Sequence, residues 1–266
     1  MINLSISNLA WNIEQNEVVY HLMQRYGFTA LEIAPTKIIP NAPYSNTTEA
    51  ANWAEKLRTE HGFSISSMQS IWYGRAEKLF GTKSEQNALF CYTKSAIDFA
   101  SAIDCKNLVF GCPKNRNIPD GANLAKCNKI AVDFFKQLGD YAFSKNTCIG
   151  MEANPSIYGT NFVNTTEDAI ELVKQVCSDG FKLNLDIGTM IQNKEQIAIL
   201  QENTNVINHV HISEPFLKKI EQRAFHRELL KFLKTKNYSG FVSIEMGLQE
   251  KISDIEQVLS YIAEVA

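Results

Sequence analysis

The sequence contains no C-x-x-C pair among its six cysteines, no apolar run of membrane-spanning length, no cationic and apolar leader at Met1-Ile2-Asn3-Leu4-Ser5, and no surplus of basic residues. Each absence excludes a class of protein. Scattered at Cys91, Cys105, Cys112, Cys127, Cys148 and Cys177, the cysteines are a poor zinc or disulfide pattern in 266 residues, and most are expected as buried free thiols. With 26 Lys and Arg against 29 Asp and Glu, the net charge of -3 offers no general electrostatic reason to bind nucleic acid or anionic lipid. Without a leader or a membrane span, the chain is expected to be cytoplasmic. Only 7 Pro and 13 Gly, beside 45% hydrophobic and 21% charged residues, exclude a fibrous or disordered chain and leave a soluble globular one with a sizeable core.

What is present is an alternation. Short β-rich runs occur at Asn3 to Asn8, Ala30 to Ala34, Ser64 to Gln69, Asn107 to Gly111, Thr147 to Glu152, Lys182 to Gly188, Val206 to Ser213 and Gly240 to Met246. Amphipathic stretches follow them at Asn16 to Tyr26, Thr47 to His61, Ser84 to Ala102, Ala122 to Ser144, Thr165 to Ser178, Lys194 to Glu202, Phe225 to Lys236 and Ile252 to Ala266. Thr47-Thr48-Glu49 and Thr165-Thr166-Glu167-Asp168 put a hydroxyl and then carboxylates in a first turn, and Gly27 and Gly62 suit left-handed helix ends. Eight units of about 33 residues match the roughly 250 of a typical TIM barrel. The expected fold class is therefore α/β, with residues 1–266 forming a single (β/α)8 TIM barrel domain. A doubly wound open sheet is disfavoured, because no G-x-G-x-x-G or Walker sequence follows the first strand. The longest irregular stretches, Pro35 to Asn46 and Tyr73 to Lys83, follow strands two and three, where a barrel carries functional loops.

Alternation along each strand separates its two faces. Ile149 and Met151 oppose Cys148, Gly150 and Glu152; Leu183 and Leu185 oppose Asn184 and Asp186; Val242 and Ile244 oppose Phe241, Ser243 and Glu245; Leu4 and Ile6 oppose Asn3, Ser5 and Ser7. The aliphatic set is what helices would cover, so the polar set should face the barrel axis. Four inward positions then fall at or near the ends of consecutive strands: Glu152, Asp186, His211 and Glu245. Three carboxylates in one pocket repel, and their ionised forms call for a compensating cation. An oxygen-rich set with one imidazole suits Mn²⁺ or Mg²⁺, and Co²⁺ or Zn²⁺ are also compatible.

Gly150-Met151-Glu152-Ala153-Asn154-Pro155, Leu185-Asp186-Ile187-Gly188, His209-Val210-His211-Ile212-Ser213 and Ser243-Ile244-Glu245-Met246 resemble, in order, strand and approximate spacing, the Glu/Asp/His/Glu metal set of the xylose isomerase-like superfamily. The resemblance is to its sugar phosphate isomerase and epimerase branch and covers essentially the whole chain. It implies a metal-dependent isomerase or epimerase of a small sugar or sugar phosphate. In that chemistry the metal chelates a carbonyl and the adjacent hydroxyl, and two glutamates exchange protons across a cis-enediolate. By resemblance Glu152 and Glu245 are the acid/base pair and also ligands, while Asp186 and His211 are ligands. Two positions depart from the pattern. Thr189 stands where many epimerase-like relatives carry histidine, and Leu217-Lys218-Lys219 where free-ketose epimerases tend to carry arginine.

Further candidates for contact with substrate come from the loops. Lys114 and Arg116, in Phe110-Gly111-Cys112-Pro113-Lys114-Asn115-Arg116, could hold a phosphate or carboxylate, or belong to an ordinary solvated loop. Glu32, inward on strand two, could orient substrate or hydrogen-bond a neighbouring strand-end group, or serve as an interior structural carboxylate. Trp11, Gln69 and Trp72 lie at or just past strand ends, where tryptophan faces pack on sugar C–H groups or simply cover the barrel mouth. Asn154 follows Glu152 on the same face, and His226 begins the helix before strand eight, within reach of the site or on the surface. His209 lies about 6.6 Å deeper than His211 and reads as a core histidine or one that supports the ligands.

The same scaffold could also serve a dehydratase acting on a sugar-like hydroxy-carbonyl compound, or a non-catalytic sugar-binding barrel. A multi-zinc nuclease is disfavoured by only five histidines and the acidic balance. The expected partner is thus a small sugar or sugar phosphate, with no nucleic acid or membrane, and a homo-oligomer formed through helices and loops is compatible with such a barrel.

Overall fold

In the computed structural model, which describes residues 2–266, the eight β-rich runs form parallel strands that close on themselves in sequence order, β1 through β8. The elements are β1 (Asn3–Ser7), α1 (Asn16–Arg25), β2 (Ala30–Ile33), α2 (Pro35–Ile38), α3 (Thr47–His61), β3 (Ser64–Met68), α4 (Lys83–Ala102), β4 (Leu108–Phe110), α5 (Leu124–Ser144), β5 (Ile149–Glu152), α6 (Thr166–Val176), β6 (Phe181–Asp186), α7 (Ile187–Asn193), β7 (Ile207–Ser213), α8 (Ala224–Thr235), β8 (Phe241–Glu245) and α9 (Ile252–Val265). Closure pairs β8 with β1 through Asn3↔Phe241 and Leu4↔Val242. This is a single (β/α)8 TIM barrel, as the alternation predicts. No helix among the described residues is long and apolar enough to cross a membrane.

Local chemistry explains most boundaries. Thr165 accepts from Asp168 N in a capping box at α6, and Gly27 and Gly62, both at φ 76°, follow α1 and α3. At α3 the cap residue is Asn46, without a side-chain cap bond, so Thr47 plays no such part. The helix expected over Lys194 to Glu202 is displaced. Asp186 ends β6 and at once caps α7, accepting from Thr189 N at 2.8 Å, so Ile187 and Gly188 are helical and Lys194, at φ 57°, terminates the element. Only a 3-10 turn, Ile197–Leu200, remains in the expected stretch.

The two strand faces separate as read. Leu4, Ile6, Ile149, Met151, Leu183, Leu185, Val242 and Ile244 are buried beneath the helices, and each contributes about 1.5–3 kcal/mol by leaving water. Helix α5 approaches the chain entering β6 so closely that a Cβ on Gly180 would lie 2.0 Å from Gly139 O. All six cysteines are free, but only Cys105, Cys127 and Cys148 are buried; Cys112 is half-buried, and Cys91 and Cys177 lie on outer helix turns and are exposed.

The barrel interior is polar where many barrels hold branched aliphatics. Ser66 Oγ donates to Ser5 Oγ at 2.9 Å, Asn107 Nδ2 to Ser67 Oγ at 2.9 Å and to Asn184 Oδ1 at 3.2 Å, and Asn208 Nδ2 to Asn107 Oδ1 at 2.8 Å. Such a network is tolerable because its members satisfy one another. Gly150 leaves room for it, since a Cβ there would sit 2.5 Å from Asn107 Oδ1. The seam between β3 and β4 is the slightest, registered at Met68↔Leu108 alone, and a cavity opens above it.

Candidate active site

Barrel closure brings the four strand-end residues together. Ligand atoms of Glu152, Asp186, His211 and Glu245 all lie within 4.8 Å of one another. His211 is at the centre, with Nδ1 3.0 Å from Glu152 Oε2 and 3.2 Å from Glu245 Oε2. Its other nitrogen, Nε2, is 2.7 Å from Oε2 of fully buried Glu32. With Nε2–H donating to Glu32, Nδ1 is the nitrogen left among the carboxylates to ligate a cation, the arrangement in which an outer carboxylate orients a ligating histidine.

Each carboxylate is held by neighbours. Glu152 Oε1 accepts from Asn154 Nδ2 at 3.0 Å, and Oε2 accepts from Asn184 Nδ2 at 3.0 Å. Asp186 Oδ2 accepts from Thr189 N, Thr189 Oγ1 lies 2.8 Å from the same oxygen, and Ser213 Oγ donates to Oδ1. Gly111 stands beside Glu152 because a Cβ there would be 2.9 Å from Oε1. Thr189 is buried, its hydroxyl also 2.8 Å from Ala153 O, so in this chain the position serves the Asp186 carboxylate and the β5 end.

Electrostatics follow from burial and crowding. Burial, reinforced by Glu152, pushes Asp186 up to about 6; burial pushes Glu245 up to about 7, with Glu152 and Glu32 adding to the rise and His211 opposing it. Burial would lower His211, but Glu32, Glu245 and Glu152 outweigh it and hold the imidazole well above its ordinary value. Burial would likewise raise Glu32, yet His211 and His209 hold it far below the usual carboxylate range. The protein alone therefore leaves this set short of positive charge. Three carboxylates and an imidazole nitrogen within bonding reach of one point fit a divalent cation in number, charge and donor type.

A cavity of 530 Å³ opens beside this centre, with Glu152 and Glu245 in its wall, in the range that holds a small molecule. Of the expected contact residues, Gln69, Trp72, Lys114 and Asn154 line it. Gln69 Nε2 also donates to Ser7 Oγ at 2.6 Å and to Glu32 Oε1 at 2.9 Å, and Trp72 Nε1 donates to Thr93 Oγ1 at 2.8 Å. The other four do not line the cavity. Trp11 is buried under the β1 loop, its Nε1 donating to Asn16 Oδ1 at 2.8 Å, away from the cavity. Glu32 lies below the centre and meets His211, His209 and Gln69, which makes it the interior carboxylate. His226 is buried between α8 and α9, Nδ1 3.2 Å from Tyr261 Oη, and burial lowers it to about 4.

Arg116 is the most instructive correction. Its guanidinium is fully buried, and burial lowers it to about 10. Nη1 donates to Glu152 O at 2.9 Å, while Nη2 donates to Asn154 Oδ1 at 3.0 Å and Val163 O at 3.3 Å. The side chain thus orients the Asn154 amide toward Glu152 and helps to hold Val163 at φ 57°, a strained conformation for a β-branched residue. Cys112, at φ 46°, and the 3-10 turn Pro113–Asn115 leave Lys114 exposed at the cavity and send Arg116 inward. Two supporting residues carry no role in the sequence reading: Asn184, which donates to Glu152, and Ser213, which donates to Asp186. Asn184 had a signal, because it shares a strand face with Asp186.

A family model described as xylose isomerase-like TIM barrel matches residues 20–264. Among solved structures, a 3-keto-D-glucoside 4-epimerase from E. coli is similar at 17% identity and TM-score 0.79, covering 99% of this chain and 100% of that one. A D-psicose 3-epimerase from Clostridium cellulolyticum, solved with D-tagatose, is similar at 14% identity and TM-score 0.76, covering 99% and 96%. A protein described as AP endonuclease, family 2, from Brucella melitensis is similar at 20% identity and TM-score 0.74, covering 99% of each chain. At these identities the likeness is one of fold. No curated protein matches the chain.

Proposed function

This chain belongs to the xylose isomerase-like TIM barrel family, and from its site we propose that it is a divalent-metal-dependent isomerase or epimerase of a small sugar or sugar phosphate. The observation that carries this reading is that Glu152 and Glu245 both approach His211 Nδ1, at 3.0 and 3.2 Å, and both line one cavity. Glu152, Asp186, His211 and Glu245 would hold the cation, Mn²⁺ or Mg²⁺ by donor type, and it would polarise a substrate carbonyl and its neighbouring hydroxyl.

The chain's own groups supply the proton chemistry. A carboxylate beside an acidified C–H is a general base, and a second carboxylate on the far side of the resulting enediolate can return a proton. Glu152 is clamped by Asn154 and Asn184, which restricts its oxygens to a fixed direction. Glu245, by contrast, meets only His211 among the described residues, and is the freer partner for proton delivery. Asp186, outside the cavity wall and fully bonded by Thr189 and Ser213, is suited to ligation without proton transfer.

The test is to incubate the Mn²⁺-loaded protein in D₂O with ketoses, aldoses and their phosphates. Deuterium should enter carbon without net loss of water, and Glu152→Gln should abolish exchange while metal stays bound. An enone absorbance would replace this reading with a dehydratase, and absence of exchange with every sugar would reject it.

A further inference from the structure

The lining of the cavity carries charges of both signs. Glu152 and Glu245 stand on the metal side, whereas Arg75 and Lys114 line the side made by the β3–α4 and β4–α5 loops. These loops are bound to each other. Asn115 Nδ2 donates to Arg75 O at 3.0 Å and Glu77 O at 2.8 Å, Leu79 N donates to Asn115 O at 2.8 Å, and Lys78 Nζ donates to Lys114 O at 2.8 Å. The cross-ties hold the loop segments that carry Arg75 and Lys114 together beside the cavity.

Their partners are few. The Arg75 guanidinium is bonded to Glu77 through Nη2 and lies 4.7 Å above the Tyr92 ring, but its buried Nε has no hydrogen-bond partner. Among the described residues the Lys114 ammonium has neither a carboxylate nor a hydrogen-bond acceptor within reach, although it borders the cavity. Some lysines of the chain are ion-paired, as Lys129 is with Asp133 and Lys136 with Asp140, and Lys114 is set apart from the other unpaired ones by lining the cavity. Lysine and arginine, both in the lining of this cavity, are the side chains that bind phosphate or carboxylate oxygens.

We propose that this wall is an anion-binding subsite, with Lys114 as its main specificity-determining residue, and that the substrate is a sugar bearing a phosphate or carboxylate on the end turned away from Glu152 and Glu245. The sugar part of this inference rests on the proposed function; the anion part does not.

The experiment compares paired sugars on the Mn²⁺-loaded protein in D₂O: D-fructose 6-phosphate against D-fructose, and D-glucuronate against D-glucose. The charged member of a pair should show kcat/KM for exchange at least about tenfold above its neutral partner, and Lys114→Met should collapse that ratio toward one. A preference confined to the first pair identifies phosphate, and one confined to the second identifies carboxylate. A wild-type ratio of one or less, or a ratio that Lys114→Met leaves intact, overturns the proposal. Where no sugar exchanges, the isomerase reading fails by itself, and calorimetry with inorganic phosphate on the metal-free protein decides the subsite. Binding that Lys114→Met abolishes sustains it; no binding, or equal binding by both proteins, rejects it.

Discussion

Glu32→Gln isolates the support beneath the centre from the ligands themselves. Glu32 is fully buried, accepts from His211 Nε2 at 2.7 Å and from Gln69 Nε2 at 2.9 Å, and lies 3.2 Å from His209 Nε2. Glutamine keeps the shape but removes the negative charge, and turns an NH₂ group toward two neighbours that also donate. The His211 ring loses the carboxylate that raises its basicity and orients Nδ1. Loss of such a partner typically weakens metal binding about 10- to 100-fold, or about 1.4 to 2.7 kcal/mol. Calorimetric titration with Mn²⁺ should show that rise in Kd, with thermal unfolding of the metal-free variant confirming a folded protein. A folded variant that binds Mn²⁺ as tightly as the wild type would refute the assignment of Glu32 as the residue that orients His211.

Two further outcomes test the fold away from the centre. Burial keeps His226 neutral, at about 4, while the unfolded chain takes up a proton near 6.5. Its contribution is therefore complete above pH 6.5 and is lost as pH falls toward 4, by about 3 kcal/mol at most; urea midpoints of His226→Gln should decline less over that window, and parallel declines would reject the account. Gly180→Ala should cost about 3 kcal/mol or more, since the new Cβ would lie 2.0 Å from Gly139 O and 2.6 Å from Phe143 N, both backbone atoms that cannot swing aside. An unchanged denaturation midpoint would show that α5 is not held as tightly against the start of β6 as these distances require.

The features legible from the residues share one property. Glu152, Asp186, His211 and Glu245 sit on strands, where a period of two assigns each side chain to a face before any tertiary contact is known. Asn184 was open to the same reasoning on the face of Asp186. Loop residues offer no such period. Lys114 and Arg116 are two positions apart and alike in charge, yet one borders the cavity and the other is buried against Glu152 O, Asn154 and Val163. Their fates depend on Cys112 taking φ 46° and on acceptors 36 to 47 residues further along the chain. The helix after β6 begins earlier than the periodicity predicts for a related reason: Asp186, a candidate ligand near the strand end, also caps α7 through Oδ2.

By itself, then, the sequence determined the number and order of βα units, the aliphatic and polar faces of the strands, and the four residues that meet at the centre. These follow from periodicities of the chain within a few residues. The tertiary structure alone decided that Glu32 supports His211, that Trp11 and His226 are packing residues, and that Arg116 holds Glu152 while Lys114 remains at the cavity. Those outcomes depend on which distant groups closure brings within hydrogen-bond reach, and a buried polar side chain turns toward whichever partners satisfy it.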